Sequence, residues 1–293
     1  VLFRSSTNIN TKRQLLSETS KTFDPLGFTL PITVKGKLLM RRIWQNKLEW
    51  DQPIPSTFKD EWYPLVEELK QLSSLEFPRQ ALSENERYGL HVMCDSSACC
   101  YGFIAYAANE RGGNFLFAKA KVAPANKVRE LSIPTMELLG VILALKCIPT
   151  ILEAYSRIKF EFVNVVVDAQ VVLSWLVTRK TKVKGKYINN RINEMDCLLK
   201  DLETRFRLKF SFNYIPSSEN PADMLTRGLK FKKLWYEEYL ISLREQSRNL
   251  YQEKWENKIK ENDIVLIKHP NIKRPFWMMG KVSEVKIGRA SCR

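Results

Sequence analysis

Phe162-Val-Asn-Val-Val-Val-Asp168 decides how this chain is read. The run is short, apolar and rich in β-branched residues, so it reads as a strand, and it ends on a carboxylate. A second stretch, Leu90-His-Val-Met-Cys-Asp95, has the same form. Two further acids stand in telling places. Glu137 lies inside the nearly all-apolar helical stretch Leu131 to Leu145, and Asp223 opens a helix after Asn220-Pro-Ala. Carboxylates at the ends of buried strands and in a buried helix are costly unless a cation compensates them. A pair of divalent metal ions would do so, and acids converging on two metals point to phosphodiester hydrolysis. The plainer reading makes these acids surface-loop residues or helix caps, with Asp223 the most obvious cap.

Outward from these runs, the pattern gives strands over 89–94, 101–107, 114–121, 161–167 and 208–215, with Glu110-Arg-Gly-Gly-Asn114 as a hairpin turn. Ser132 and Pro134 are start signals for the helix bearing Glu137, whose apolar residues run all round and require packing on most sides. Helices follow over 169–177 and 186–203. The order β-β-β-α-β-α-α-β-α predicts an α/β fold with a mixed five-stranded sheet and flanking helices. In it the strands ending at Asp95 and Asp168 are neighbours, and their C-terminal ends share the rim where open α/β sheets place their sites. Residues 6–80 read as mainly helical, with a turn at Thr22-Phe-Asp-Pro-Leu-Gly27 and helices over 32–48 and 58–75. The far tail alternates from Ile264 to Val285 and reads as a few strands of a small β-rich module.

Forty-seven Lys and Arg against 32 Asp and Glu give a net charge of +15, which favours a polyanionic partner over a merely soluble basic protein. The six cysteines form no CxxC pair, and the two histidines complete no zinc pattern, so the thiols fit a reducing compartment. The longest apolar stretch, Met136 to Leu152, is interrupted by Glu137 and Lys146 and reads as too short to span a bilayer. With no signal peptide apparent, the expectation is an intracellular protein, cytoplasmic or nuclear, without a membrane partner. Val1–Ser5 and Ile287–Arg293 resemble translated sequencing-adapter ends and are left out of the fold reading.

Five ordered segments resemble the ribonuclease H of BEL/Pao-type retrotransposon Pol polyproteins. They are Cys94-Asp-Ser-Ser-Ala-Cys-Cys-Tyr-Gly-Phe-Ile-Ala-Tyr106, Lys119-Ala-Lys-Val-Ala-Pro124, Ser132-Ile-Pro-Thr-Met-Glu-Leu-Leu139, Val167-Asp-Ala-Gln-Val-Val-Leu-Ser-Trp175 and Asn220-Pro-Ala-Asp-Met-Leu-Thr-Arg-Gly228. Upstream, Ser20-Lys-Thr-Phe-Asp-Pro-Leu-Gly27 is similar to the segment linking polymerase to nuclease in such polyproteins. Downstream, Leu234-Trp-Tyr-Glu-Glu-Tyr-Leu240 and Asn262-Asp-Ile-Val-Leu-Ile-Lys268 resemble the small domain that follows the integrase. The resemblance implies a connection-like segment over 6–80, a ribonuclease H-like domain over 85–229 and the small C-terminal domain over 231–287. The integrase and the polymerase's Tyr/Phe-x-Asp-Asp sequence are not found in the chain.

By the same resemblance, Asp95, Glu137, Asp168 and Asp223 are the catalytic acids and ligands of two Mg²⁺ ions, with Mn²⁺ a substitute. The substrate is the RNA strand of an RNA–DNA hybrid, and a polymerase part of the same polyprotein is a partner. Arg179-Lys-Thr-Lys-Val-Lys-Gly-Lys186 places Arg179, Lys180, Lys182, Lys184 and Lys186 beside Trp175 and Tyr187. The segment suits a DNA phosphate backbone with aromatic packing, or else it is a solvated loop. Ser96, Ser97 and Gln170 lie next to the acids and are candidates for substrate contact or for core and capping roles. Ala169 stands where the family usually has Ser, and only His91 and His269 are available as the mobile histidine that some ribonucleases H use. The alternatives are an inactive retroelement remnant that only binds nucleic acid, or an accessory subunit for a separate polymerase.

Overall fold

The computed structural model describes residues 6–71, 82–124, 131–178, 185–228, 264–266 and 279–281. Five strands form one mixed sheet: β1 (Arg87–Ser96), β2 (Cys100–Asn109), β3 (Gly112–Val122), β4 (Lys159–Val167) and β5 (Lys209–Tyr214), in the order β3-β2-β1-β4-β5. The first three make an antiparallel meander, and β4 and β5 add in parallel to β1. The hairpin turn is tighter than the Gly-Gly pair suggests. Only Glu110 and Arg111 lie outside the strands, and Gly112 already pairs with Asn109.

The sheet is covered on both faces, which explains why its central strands are apolar throughout. Leu90, Val92 and Cys94 of β1, with Val163, Val165 and Val167 of β4, point to one face. That face packs under α4 (Ile133–Ala154), α5 (Gln170–Thr178) and α6 (Lys186–Phe206). α4 has Ser132 before it and Pro134 in its first turn, and it buries residues on all sides as its composition requires. Contrary to the expectation from Met136–Leu152, its 22 residues are long and apolar enough to cross a membrane by length and composition. However, 78% of the apolar window is buried inside the fold, as in a core helix.

The other face takes the N-terminal segment. α1 (Lys12–Ser20), α2 (Leu30–Gln45) and α3 (Ser56–Gln71) share one apolar cluster with Met93, Ile104, Tyr106, Ala118 and Val166 of the sheet. α1 begins with a capping box, in which Thr11 and Gln14 satisfy each other's backbone N–H groups. The Asp-Pro turn is held by Asp24, whose carboxylate accepts from the N–H groups of Gly27, Phe28 and Thr29. This turn lies against the edge strand: Ala118 N–H donates to Leu26 O at 2.8 Å. Gly27, at φ +83°, sits where a Cβ would be 2.2 Å from Ala118 O. The loop thereby covers an edge that would otherwise offer free backbone groups.

A short helix, α7 (Asp223–Arg227), follows β5 and packs on the same face as α2. All these elements belong to one compact unit, Val1–Leu250. In the second unit, β6 (Ile264–Leu266) and β7 (Met279–Lys281) form an antiparallel pair. The remaining strands expected of the small C-terminal module lie outside the described residues.

Candidate active site

Parallel pairing of β1 with β4 sets Cys94 opposite Val167. Asp95 and Asp168, the next residues, therefore reach the same rim of the sheet, as the apolar runs predict. β1 runs two residues past the expected end at 94, to Ser96, and that last residue matters. Ser96 donates to Glu137 Oε1 twice, from its N–H at 3.1 Å and from its hydroxyl at 2.8 Å. α4 runs close to β1 and β2 at Gly140. A Cβ there would lie 3.4 Å from the carbonyl oxygens of both Asp95 and Gly102.

The third wall is α7. Asn220 donates from Nδ2 to Cys94 O at 2.8 Å and accepts from Ala222 N–H at 3.1 Å. This fixes the short helix against β1, and the Thr226 hydroxyl donates to Asp95 Oδ2. Asp223 is paired with Arg227 at 2.7 Å. Neither Thr226 nor Asn220 stands out as a functional residue in the sequence, although both lie in the Asn220–Gly228 motif.

Asp95, Glu137 and Asp168 each offer an oxygen within 4.8 Å of the others'. Asp223 lies outside this tight set, yet its charge acts on Asp95. Burial pushes the Asp95 carboxyl up to about 7; the negative charges of Asp168 and Asp223 add to the shift, while Thr226 opposes it. Burial also pushes Glu137 up to about 8, with Asp95 and Asp168 adding and the two Ser96 bonds opposing. Asp223 is raised as well, first by burial, against the pull of Arg227. These groups are poorly compensated as charges by the protein alone.

A divalent metal ion fits this set. Glu137 Oε2 is buried and has no hydrogen-bond partner, a free acceptor aimed nowhere else. The tight set is purely carboxylate oxygen, which suits a hard ion such as Mg²⁺ and not a soft one.

The other candidates are spread around this rim. Ser96 is committed to Glu137, and Ser97 to the turn between β1 and β2, where its hydroxyl donates to Thr226 O at 3.1 Å. Gln170 is exposed at the start of α5, Trp175 is half-buried on the same helix, and Lys186 and Tyr187 are exposed at the start of α6. The Arg191 guanidinium stands 5.6 Å from the Tyr187 ring centre. Arg179, Lys180, Lys182 and Lys184 lie outside the described residues, as does His269. His91 is buried within β1, beside Asn164 of β4.

An antiparallel three-stranded meander extended by two parallel strands, with acids gathered at the shared rim, defines a ribonuclease H-like domain. The family model described as "Pao retrotransposon-like RNaseH-like domain" matches residues 11–196, and the chain belongs to that family. A family of unknown function, DUF5641, matches residues 225–292. No match was found among curated proteins. Among solved structures, a foamy viral protease-reverse transcriptase in complex with double-stranded DNA is similar at 12% identity and TM-score 0.46, covering 71% of this chain and 32% of that one. The chain thus matches about a third of that protein's length. Ribonuclease H1 from Halobacterium salinarum shows 14% identity and TM-score 0.35, covering 48% of this chain and 94% of that one. LC11-RNase H1 in complex with an RNA/DNA hybrid shows 16% identity and TM-score 0.36, covering 46% and 92%.

Proposed function

We propose that this chain is a retrotransposon-derived, divalent-metal-dependent endonuclease that hydrolyses the RNA strand of RNA–DNA hybrids. The observation that carries this reading is the convergence of Asp95, Glu137 and Asp168 on one rim, with a buried Glu137 oxygen left without a partner. Asp95, Glu137, Asp168 and Asp223 would hold two Mg²⁺ ions, or Mn²⁺ in their place. When bound, such ions lower the pKa of a water that attacks phosphorus and stabilise the departing 3′ oxygen.

The chain's own residues prepare that chemistry. Ser96 holds Glu137 and Thr226 holds Asp95, so the carboxylates keep their rotamers without metal. Arg227 offsets part of the negative charge at Asp223, on the more exposed side. The exposed Lys186 and Tyr187, with the basic run before them, suit the DNA strand: cations on phosphate and an aromatic face on sugar or base. Selection of RNA would come from 2′-hydroxyl contacts across the wide minor groove, with Gln170 placed beside Asp168 to make one. The polymerase part of the same polyprotein is the natural protein partner, and the work would be done in a cytoplasmic retroelement particle or the nucleus.

Cleavage of an end-labelled RNA–DNA hybrid by the purified chain tests the proposal. Cutting of the RNA strand with Mg²⁺, abolished by EDTA and by Asp95→Asn or Asp168→Asn, is expected. Binding of hybrid by folded protein with no cutting would identify an inactive remnant instead.

A further inference from the structure

Arg41 lies on the buried side of α2, only 7% exposed, and among the described residues no carboxylate pairs with its guanidinium. Its Nε donates to Ala123 O at 3.0 Å and its Nη1 to Cys99 Sγ at 3.3 Å, while Nη2 is buried without a partner. Burying a cation on one carbonyl and one weakly accepting sulfur, with no anion to pair it among the described residues, is expensive, and a Leu or Met at this place would fill the same space more cheaply. The position of its two acceptors suggests what it does.

Cys99 lies in the turn from β1 to β2, and Ala123 follows β3. The two are joined by Ala123 N–H donating to Cys99 O at 2.8 Å. Arg41 closes this bridge from the side, tying α2 to the turn. From the turn the bonds continue inward. The N–H groups of Cys99 and Cys100 donate to Ser97 Oγ at 3.4 and 3.1 Å. The Ser97 hydroxyl donates to Thr226 O at 3.1 Å, and the Thr226 hydroxyl donates to Asp95 Oδ2. An unbroken path thus links the N-terminal helical segment to a carboxylate of the site. The start of α2 closes on the same structure from the other side, where a Cβ on Gly228, just after α7, would lie 3.3 Å from Pro31 O and 2.9 Å from Lys35 Cγ.

We propose that Arg41 is a positioning residue for the acidic site. Through Cys99, Ser97 and Thr226 it holds the β1–β2 turn and the Asp95 carboxylate, which makes α2 a working part of the nuclease. The inference rests on reading the acids as metal ligands. It adds that the metal affinity of the site depends on a helix of the N-terminal segment, on the face of the sheet that also carries α7.

The test uses the full chain with Arg41→Met, which keeps volume but removes donors and charge, and with Cys99→Ala and Cys99→Ser. Mn²⁺ affinity is measured by calorimetry, Tm in EDTA, and kcat and KM on a hybrid. Arg41→Met and Cys99→Ala should bind Mn²⁺ on the order of 10-fold more weakly, the usual effect of losing an outer support of a metal site. They should lower kcat while KM stays within about twofold. Cys99→Ser, which keeps an acceptor, should recover most of the loss. In EDTA, Arg41→Met should be at least as stable as the parent, because an uncompensated buried charge has gone. A purely structural Arg41 gives the reverse: lower Tm with unchanged Mn²⁺ affinity and kcat in the folded protein, and that result overturns the inference. Should Arg41→Met fail to fold, the Cys99 pair decides by the same readouts. A parent chain that binds Mn²⁺ but cuts no hybrid would refute the proposed activity alone, leaving Arg41 to be judged on Mn²⁺ affinity. A parent that binds no Mn²⁺ would refute both.

Discussion

Ser96 and Glu137, 41 residues apart, meet through two hydrogen bonds to a single oxygen: the backbone N–H and the hydroxyl of Ser96 both donate to Glu137 Oε1. One carboxylate oxygen is thereby fixed and the other is kept free inside the protein. Ser96→Ala removes the hydroxyl bond and retains the backbone one. A bond to a charged buried group is worth about 1.5–3 kcal/mol, so cleavage of a hybrid should fall by roughly one order of magnitude. Single-turnover assays across Mg²⁺ concentrations would show the loss, and an unchanged rate would place Ser96 outside the site's support.

Asp95 and Asp168 repel each other across the rim when no cation is present. Asp95→Asn and Asp168→Asn should therefore raise Tm in EDTA. Mg²⁺ or Mn²⁺ should raise the parent's Tm, by about 2.7 kcal/mol of stability at 100 times the dissociation constant, and leave the variants nearly unmoved. Differential scanning calorimetry with and without metal checks both halves. Equal metal responses in parent and variants would exclude these acids as ligands.

Tyr187 is an exposed aromatic at the start of α6, with Arg191 against its ring. Stacking on an aromatic is worth about 1–3 kcal/mol per base. Tyr187→Ala should raise the Kd for a hybrid several-fold with little change in salt dependence, whereas Lys186→Ala should flatten the salt dependence. Fluorescence anisotropy at several salt concentrations separates the two effects. A Tyr187→Ala protein with parental affinity would remove this residue from the proposed interface.

His91 is held neutral inside the sheet. Burial lowers its pKa to about 4, with Asn164 of β4 beside it and the Phe162 ring edge-on. The unfolded chain binds the imidazole proton below about pH 6.5, and the folded chain does not until about pH 4. Stability from this group is therefore complete above pH 6.5 and is lost as pH falls toward 4, on the order of 3 kcal/mol across that window. His91→Gln should lose less stability than the parent between those pH values. Urea titrations of both proteins at each pH give the difference, and parallel curves would contradict the assignment.

Gly27 combines a positive φ with a near-collision against the backbone of β3. Gly27→Ala should destabilise the fold by a few kcal/mol, about 1–3 for the backbone conformation and more for displacing the edge. Chemical denaturation reads this directly, and a change under about 0.5 kcal/mol would mean that the turn is free to move away.

Much of the nuclease half was legible because its signals are local. The runs ending at Asp95 and Asp168 are strands by composition alone, and their parallel pairing follows from the intervening helix. The all-round apolar character of Ile133–Ala154 required a buried helix, which it is. What escaped was set by distance along the chain. Ser96 adjoins an acid and reads equally as a substrate contact or as a core or capping residue, and its partner Glu137 is on α4, 41 residues away. Asn220 precedes the helix that Asp223 opens and Thr226 lies near its end, with nothing local to mark either, and their acceptors are 126 and 131 residues away.

The amino-acid sequence by itself determined the element order, the mixed sheet, the family and which acids share a rim, since periodicity and motif spacing act within a strand or helix. Only the tertiary structure decided that the N-terminal helices form the second cover of the sheet, and that Arg41 on one of them reaches the turn beside Asp95. Burial and hydrogen-bond partnership depend on which surfaces meet, and no local pattern in α2 records that its Arg41 will be closed over by residues 58 and 82 positions further on.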